Sequence, residues 1–136
     1  MQFDTKIAVV LRGDLLTWQK LNVTAFTASG IASIPGVLGE PYVDGSDRSY
    51  LPMIRQPVMI FTATGEQLRT VYDGATAAPD VRLAIYTSEL FATGHDAANR
   101  AAVRARTSED LDLVGLTLRG PRKVVERLLE GLPLHP

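Results

Sequence analysis

The stretch KIAVVLRGDLLTWQKLNVTAFTASGIA, residues 6–32, decides the fold. Its first part, Lys6–Arg12, is apolar and β-branched with no polar alternation. Such a run suits a strand covered on both faces, as in a parallel sheet. Gly13-Asp14 ends it, and Asp14 is placed to cap a following helix. That helix is expected over Leu15–Ser33, either as one piece or as two with Asn22 capping the second. Leu21, Ala25, Ala28 and Ala32 recur at helical spacing and are predicted to face the sheet. Between strand and helix lie Arg12, Asp14, Thr17, Gln19, Lys20 and Asn22, the densest polar set in the first third. A strand running into a polar turn and a helix is where α/β proteins place chemistry.

The same alternation continues along the chain. Pro57–Ala63 reads as a second strand. Thr64 and Gln67 read as a capping box opening the next helix. Asp80–Tyr86 is a third strand, Thr87–Thr93 a short connector, and His95–Arg106 an alanine-rich helix opened by a Thr93/Asp96 cap. Leu111–Arg119 is a fourth strand, and Pro121 and Gly131 bracket a last helix over Arg122–Glu130. Ser33–Gln56 is rich in Pro and Gly and reads as a long loop, with Tyr42 and Tyr50 tying it down or serving as a lid. The predicted architecture is a three-layer α/β/α sandwich around a four-stranded mixed, largely parallel sheet, formed by residues 1–136 as one domain.

Composition narrows the function classes. Fourteen Lys+Arg against fifteen Asp+Glu give a formal net charge of −1. Strong non-specific nucleic-acid binding needs clustered positive charge, so tRNA is disfavoured as a partner. The chain has no cysteine, which excludes disulfides, thiolate nucleophiles and zinc–cysteine sites. No apolar run is long enough to span a membrane and no signal peptide is apparent, so a cytoplasmic location is expected. No glycine pattern marks a phosphate loop or dinucleotide site, and Ser29, Ser88 and Ser108 lack a nucleophile-elbow context. Neither a cofactor nor a metal is expected, because His95 has no close second histidine.

The N-terminal pattern is similar to the peptidyl-tRNA hydrolase II family. Lys6, Arg12, Asp14 and Leu15 match its lysine-led strand ending in Arg-x-Asp-Leu. Lys20 falls on its Gly-Lys lysine when one residue is deleted. Val114-Gly115-Leu116, Gly120-Pro121 and the Leu132–Leu134 end resemble its last strand and helix. The whole chain resembles more closely a family of small uncharacterised proteins with that fold, through Thr93–Asp96, Asn99-Arg100 and Asp112–Gly115. The resemblance implies the hydrolase II-like fold and raises the expectation of a functional Lys20. The hydrolases carry an aspartate after their third strand where this chain has Tyr86-Thr87-Ser88, so the resemblance implies the fold more strongly than the ester hydrolysis.

Two polar sets are candidate sites. Lys20 can bind a phosphate or polarise a carbonyl, or it is a solvated lysine. Arg12 and Asp14 can bind an anion or orient Lys20, or they form a structural ion pair and a cap. The second set is His95, Asp96, Asn99 and Arg100, in which His95/Asn99 and Asp96/Arg100 each share a helix face. Histidine suits proton transfer near neutral pH. Lys20, His95 and Asp96 are the candidate catalytic residues; Arg12, Asp14, Asn22, Asn99 and Arg100 are the candidate binding residues. Trp18 reads as a pocket rim and His135 as tail. The expected function is a hydrolase acting on a small or nucleotide-linked substrate, and the alternative is a non-catalytic ligand-binding module. A homodimer formed through a sheet edge or helix face is also expected.

Overall fold

The computed structural model describes residues 3–136. The elements are β1 (Thr5–Arg12), α1 (Thr17–Ala32), β2 (Tyr42–Val43), β3 (Ser49–Tyr50), β4 (Val58–Ala63), α2 (Gly65–Ala77), β5 (Arg82–Thr87), α3 (Asp96–Arg104), β6 (Leu113–Pro121) and α4 (Arg122–Leu128). Short 3₁₀ turns, Ser88–Phe91 and Ser108–Asp110, flank α3.

β1 lies inside a four-stranded sheet of order β4-β1-β6-β5. Ile7–Leu11 are buried throughout, as the unbroken apolar run requires. Val9 and Leu11 face α1 together with Val23, Tyr86 and Val114. Ala8 and Val10 face α2 and α4, among Leu68, Val71, Leu116, Leu118 and Val125. Helices therefore cover both faces of the sheet.

The sheet is mixed, but not largely parallel in its pairing. β1 pairs with β4 in parallel, whereas β1–β6 and β5–β6 are antiparallel. β4, β1 and β5 point the same way, and β6 runs against them between β1 and β5. The cause is α3. It packs on the Ser88–Phe91 turn rather than across the sheet, so the chain never returns to the opposite end before β6 begins. An apolar run reads alike in either direction, and only a crossover helix makes the next strand parallel.

α1 is one unbroken helix. Its start differs from the expected cap: the Leu16 backbone N–H donates to Gln19 Oε1 at 2.9 Å, while Asp14 is taken by Arg12. The row facing the sheet is Val23, Thr27 and Ile31. The Leu21/Ala25/Ala28/Ala32 row lies outward, with Leu21 67% exposed. Thr27 is buried against Thr117 at 2.6 Å, so a polar pair lies within this layer. Gly30 brings α1 close to β5, where an added Cβ would lie 2.9 Å from Ala84 Cβ.

The Thr64/Gln67 capping box forms as expected: Gln67 N–H donates to Thr64 Oγ1, and Thr64 N–H to Gln67 Oε1. The Ser33–Gln56 segment contains the β2–β3 hairpin. Tyr42 and Tyr50 are about half exposed and do not anchor it in the core. The C-terminal residues are no loose tail. Thr62 N–H donates to Pro133 O, and His135 N–H to Ile60 O, with Leu134 bridged to Phe61. The segment thus covers the open edge of β4. No helix among the described residues is long and apolar enough to cross a membrane.

Candidate functional site

The carboxyl ends of β1, β4 and β5 lie at one end of the sheet, and every candidate residue gathers there. Two separate groups result, on opposite flanks of α1.

The first group lies over β1 and β4. Arg12 reaches Asp14 at 2.6 Å and Asp112 at 3.7 Å. The Arg12 hydrogen bond holds the Asp14 carboxyl below its ordinary range. Asp112 also accepts from Ser88 Oγ. Arg12 and Asp14 border a cleft of about 580 Å³ that Thr62, Thr64, Gln67 and Pro133 complete. Lys20 Nζ lies 3.0 Å from His135 Nε2. The ammonium has only protons to give, so Nε2 accepts and the ring proton sits on Nδ1, 3.0 Å from the Pro136 carbonyl. His135 is thus a partner of Lys20, a role hidden by the 115 residues between them.

The second group lies between α1, the Ser88–Phe91 turn and α3. A cleft of about 350 Å³ is lined by Asn22, Phe26, Tyr86, Phe91, His95, Asp96 and Asn99 among others. Its walls are aromatic: Tyr86 packs on Phe26 at 5.9 Å and on Phe91 at 5.1 Å. Trp18 stands edge-on to Phe91 at 5.6 Å, at the rim of this aromatic cluster. Tyr86 is nearly saturated. It accepts from Asn22 Nδ2 at 3.1 Å and donates to the Leu90 carbonyl at 3.3 Å. Burial pushes its phenol above the ordinary value, opposed by the Asn22 contact. Tyr86 therefore serves as wall and anchor rather than as an acid.

His95, not Thr93, is the N-cap of α3. Its Nδ1 accepts from Ala98 N–H at 3.2 Å, so the ring proton is on Nε2. In this state His95 is a hydrogen-bond donor to the cleft, not a base. Asp96 pairs with Arg100 in the exposed i,i+4 contact and does not orient His95. Asn99 Oδ1 lies against Thr93 Oγ1, whose one proton it shares with the Leu90 carbonyl, and the Asn99 amide NH₂ is left to the cleft. Asn22, with its NH₂ engaged, keeps its carbonyl oxygen free.

The structure thus brings Asn22, His95, Asp96 and Asn99 to one cleft. Arg100 lines its neighbour, an apolar hollow with Leu90, Val103 and Arg104. Lys20 does not join them. It projects from the β4 flank of α1, and Asn22, two residues on, from the β5 flank, as two helical steps of 100° require. The sequence reading did not bring Tyr86, Phe26 and Phe91 together, because they lie on a strand, a helix and a connector, with Phe26 far from the other two in the chain. No group of three or more His, Cys, Asp or Glu suited to a metal occurs among the described residues.

Comparison with known proteins gives the family. Residues 5–136 match the family described as protein of unknown function (DUF2000), and the chain belongs to it. A solved structure of a protein of unknown function from Agrobacterium tumefaciens is similar, at 43% identity and a TM-score of 0.92 over 99% of this chain and 100% of that one. Comparison with curated proteins gives no match.

Proposed function

We propose that this member of the DUF2000 family is a cytoplasmic ligand-binding module, and that the Asn22–His95–Asn99 cleft takes a small planar molecule. The observation that carries this reading is the convergence of four polar side chains on one aromatic-walled cleft. Pockets of this kind use apolar walls for affinity and a few fixed polar groups for orientation. The free groups are one acceptor, Asn22 Oδ1, and two donors, Asn99 Nδ2 and His95 Nε2–H. Each is fixed by a second hydrogen bond on its other atom. A heteroaromatic ring or aromatic amide with a donor–acceptor edge matches that set, as in a nucleobase or a carboxamide.

The test is a thermal-shift screen with nucleosides and aromatic carboxamides. A ligand at a hundred times its dissociation constant adds about 2.7 kcal/mol of stability. In a domain of this size that raises the melting temperature by roughly 10 °C. A tenfold weaker constant in Asn99→Ala is expected to remove about half of that shift or more. A stabilising ligand whose effect survives Asn22→Ala and Asn99→Ala alike binds elsewhere and sinks the assignment.

One separate observation favours a hydrolytic reading on the other flank. Lys20 is held by His135 close to Asp14 and the Arg12 cleft, where an ammonium polarises a carbonyl or binds phosphate. This is the position matched to the peptidyl-tRNA hydrolase II lysine. Incubation with N-blocked aminoacyl-tRNA tests it. The reading predicts ester cleavage that falls by at least about tenfold in Lys20→Ala, and turnover unchanged in that variant would rule it out.

A further inference from the structure

Exposed apolar surface is concentrated along the outer face of α1 and the segment beside it. Leu21 is 67% exposed on the helix, and Val43, Leu51 and Met53 are 62%, 85% and 59% exposed on the segment. Every residue from Glu40 to Leu51 is exposed, and of the β2–β3 arm Tyr42 borders the α1 helix face. The arm is ordered within itself. Asp44 accepts from Ser46 N–H, Arg48 N–H and the Tyr50 hydroxyl, which together fix the turn. Beside the arm lies a groove of about 430 Å³, formed by Ala25, Ala28 and Ala32 of α1 with Leu38, Tyr42 and Met53. No charged side chain lines it, and α1 carries no charge from Leu21 to Ala32.

We propose that a second copy of this chain covers this face, with the arm of each copy lying in the α1 groove of the other. A projecting arm that presents Val43, Tyr50 and Leu51 and an uncharged groove side by side on one chain are complementary by exchange. A reciprocal exchange closes on a two-fold axis, leaving no open end for further addition. The area is sufficient. Aromatic and long aliphatic side chains offer roughly 100–200 Å² each when fully exposed. The half-exposed ones here together present on the order of 800 Å², which is what each partner contributes to a specific interface. A lipid surface is a poorer occupant, because helices that lie on membranes carry Lys and Arg beside their apolar face. This α1 face carries none, and the arm tip carries Asp44 and Asp47 against a single Arg48. The outward alanine row, which as part of a sheet-facing layer would be unremarkable, here allows close approach by the partner's arm.

The chain lacks cysteine, so an engineered disulfide reads the contact without background. Ala25→Cys and Leu51→Cys chains, carrying different tags, are mixed and oxidised, and wild type is weighed by light scattering. The expected results are a mass of twice 14.8 kDa and a mixed-tag disulfide. Leu51→Glu is expected to halve the mass with an unchanged circular dichroism spectrum, since the side chain touches no core. A monomeric wild type overturns the proposal, as does a dimer that forms no mixed disulfide. A monomer that sediments with phosphatidylcholine vesicles assigns the face to lipid and overturns it too.

Discussion

Tyr86 joins the core to the cleft more directly than any other residue. Its ring is buried between Phe26 and Phe91, and its hydroxyl links Asn22 of α1 to the Leu90 carbonyl of the 3₁₀ turn. Tyr86→Phe keeps the ring and removes the link. A net loss of about 1 kcal/mol is expected in urea unfolding at neutral pH. The pH dependence has a definite sign. Burial raises the folded-state value of this phenol above the ordinary 10.0, so the unfolded chain ionises first. The contribution is fully present below the unfolded value and is lost as pH rises through the higher folded one. Tyr86→Phe should therefore flatten the alkaline fall in stability; an identical alkaline limb in both proteins would refute the account of this residue. At the same scale, His95 shows how a side chain's second bond decides its chemistry. The Ala98 amide occupies Nδ1, turning a residue suited to proton transfer into a donor.

At the scale of elements, spacing between layers is set by small residues. Gly115 of β6 lies under α1, where an added Cβ would sit 2.5 Å from Val23 Cγ1 and 3.2 Å from the Val10 carbonyl. The carbonyl belongs to the central strand and cannot retreat. Gly115→Ala is thus expected to cost about 1–3 kcal/mol through overpacking. A calorimetric melting temperature lower by roughly 3–5 °C per kcal/mol is the readout, and an unchanged value would show that the layers can part. Much of the element order was legible in the sequence, because β-branched runs and breakers are local signals. The Thr64/Gln67 box was legible for the same reason. Strand direction was not, since it depends on whether α3 crosses the sheet. The sheet-facing row of α1 is Val23, Thr27 and Ile31 rather than Leu21, Ala25, Ala28 and Ala32, because Thr27 is buried through its pair with Thr117, which periodicity does not reveal. His135 was beyond sequence reading, as its meaning comes from the β4 edge on which residues 133–135 dock.

For the whole molecule, topology places both polar groups at one end and α1 divides them. Three strands bring their carboxyl ends there, and the antiparallel β6 starts there with Asp112 beside Arg12. The halves that the sequence suggested as a single site are therefore two: Lys20 with His135 on the β4 flank, and Asn22 with His95 and Asn99 on the β5 flank. The groove where the proposed second copy docks is lined by Ala25, Ala28 and Ala32 of α1 and by Val58 at the start of β4, away from the carboxyl ends of the strands, so dimerisation fills neither cleft. In the proposed function the β5-flank cleft holds a planar ligand through Asn22, His95 and Asn99. Calorimetric titration of wild type and Asn99→Ala with the best stabilising nucleoside or carboxamide tests it most directly. The account predicts one site per chain in wild type and at least a roughly tenfold weaker constant in Asn99→Ala, the cost of one lost buried hydrogen bond. Equal affinity in the two proteins, or no binding by any member of the panel, would contradict it.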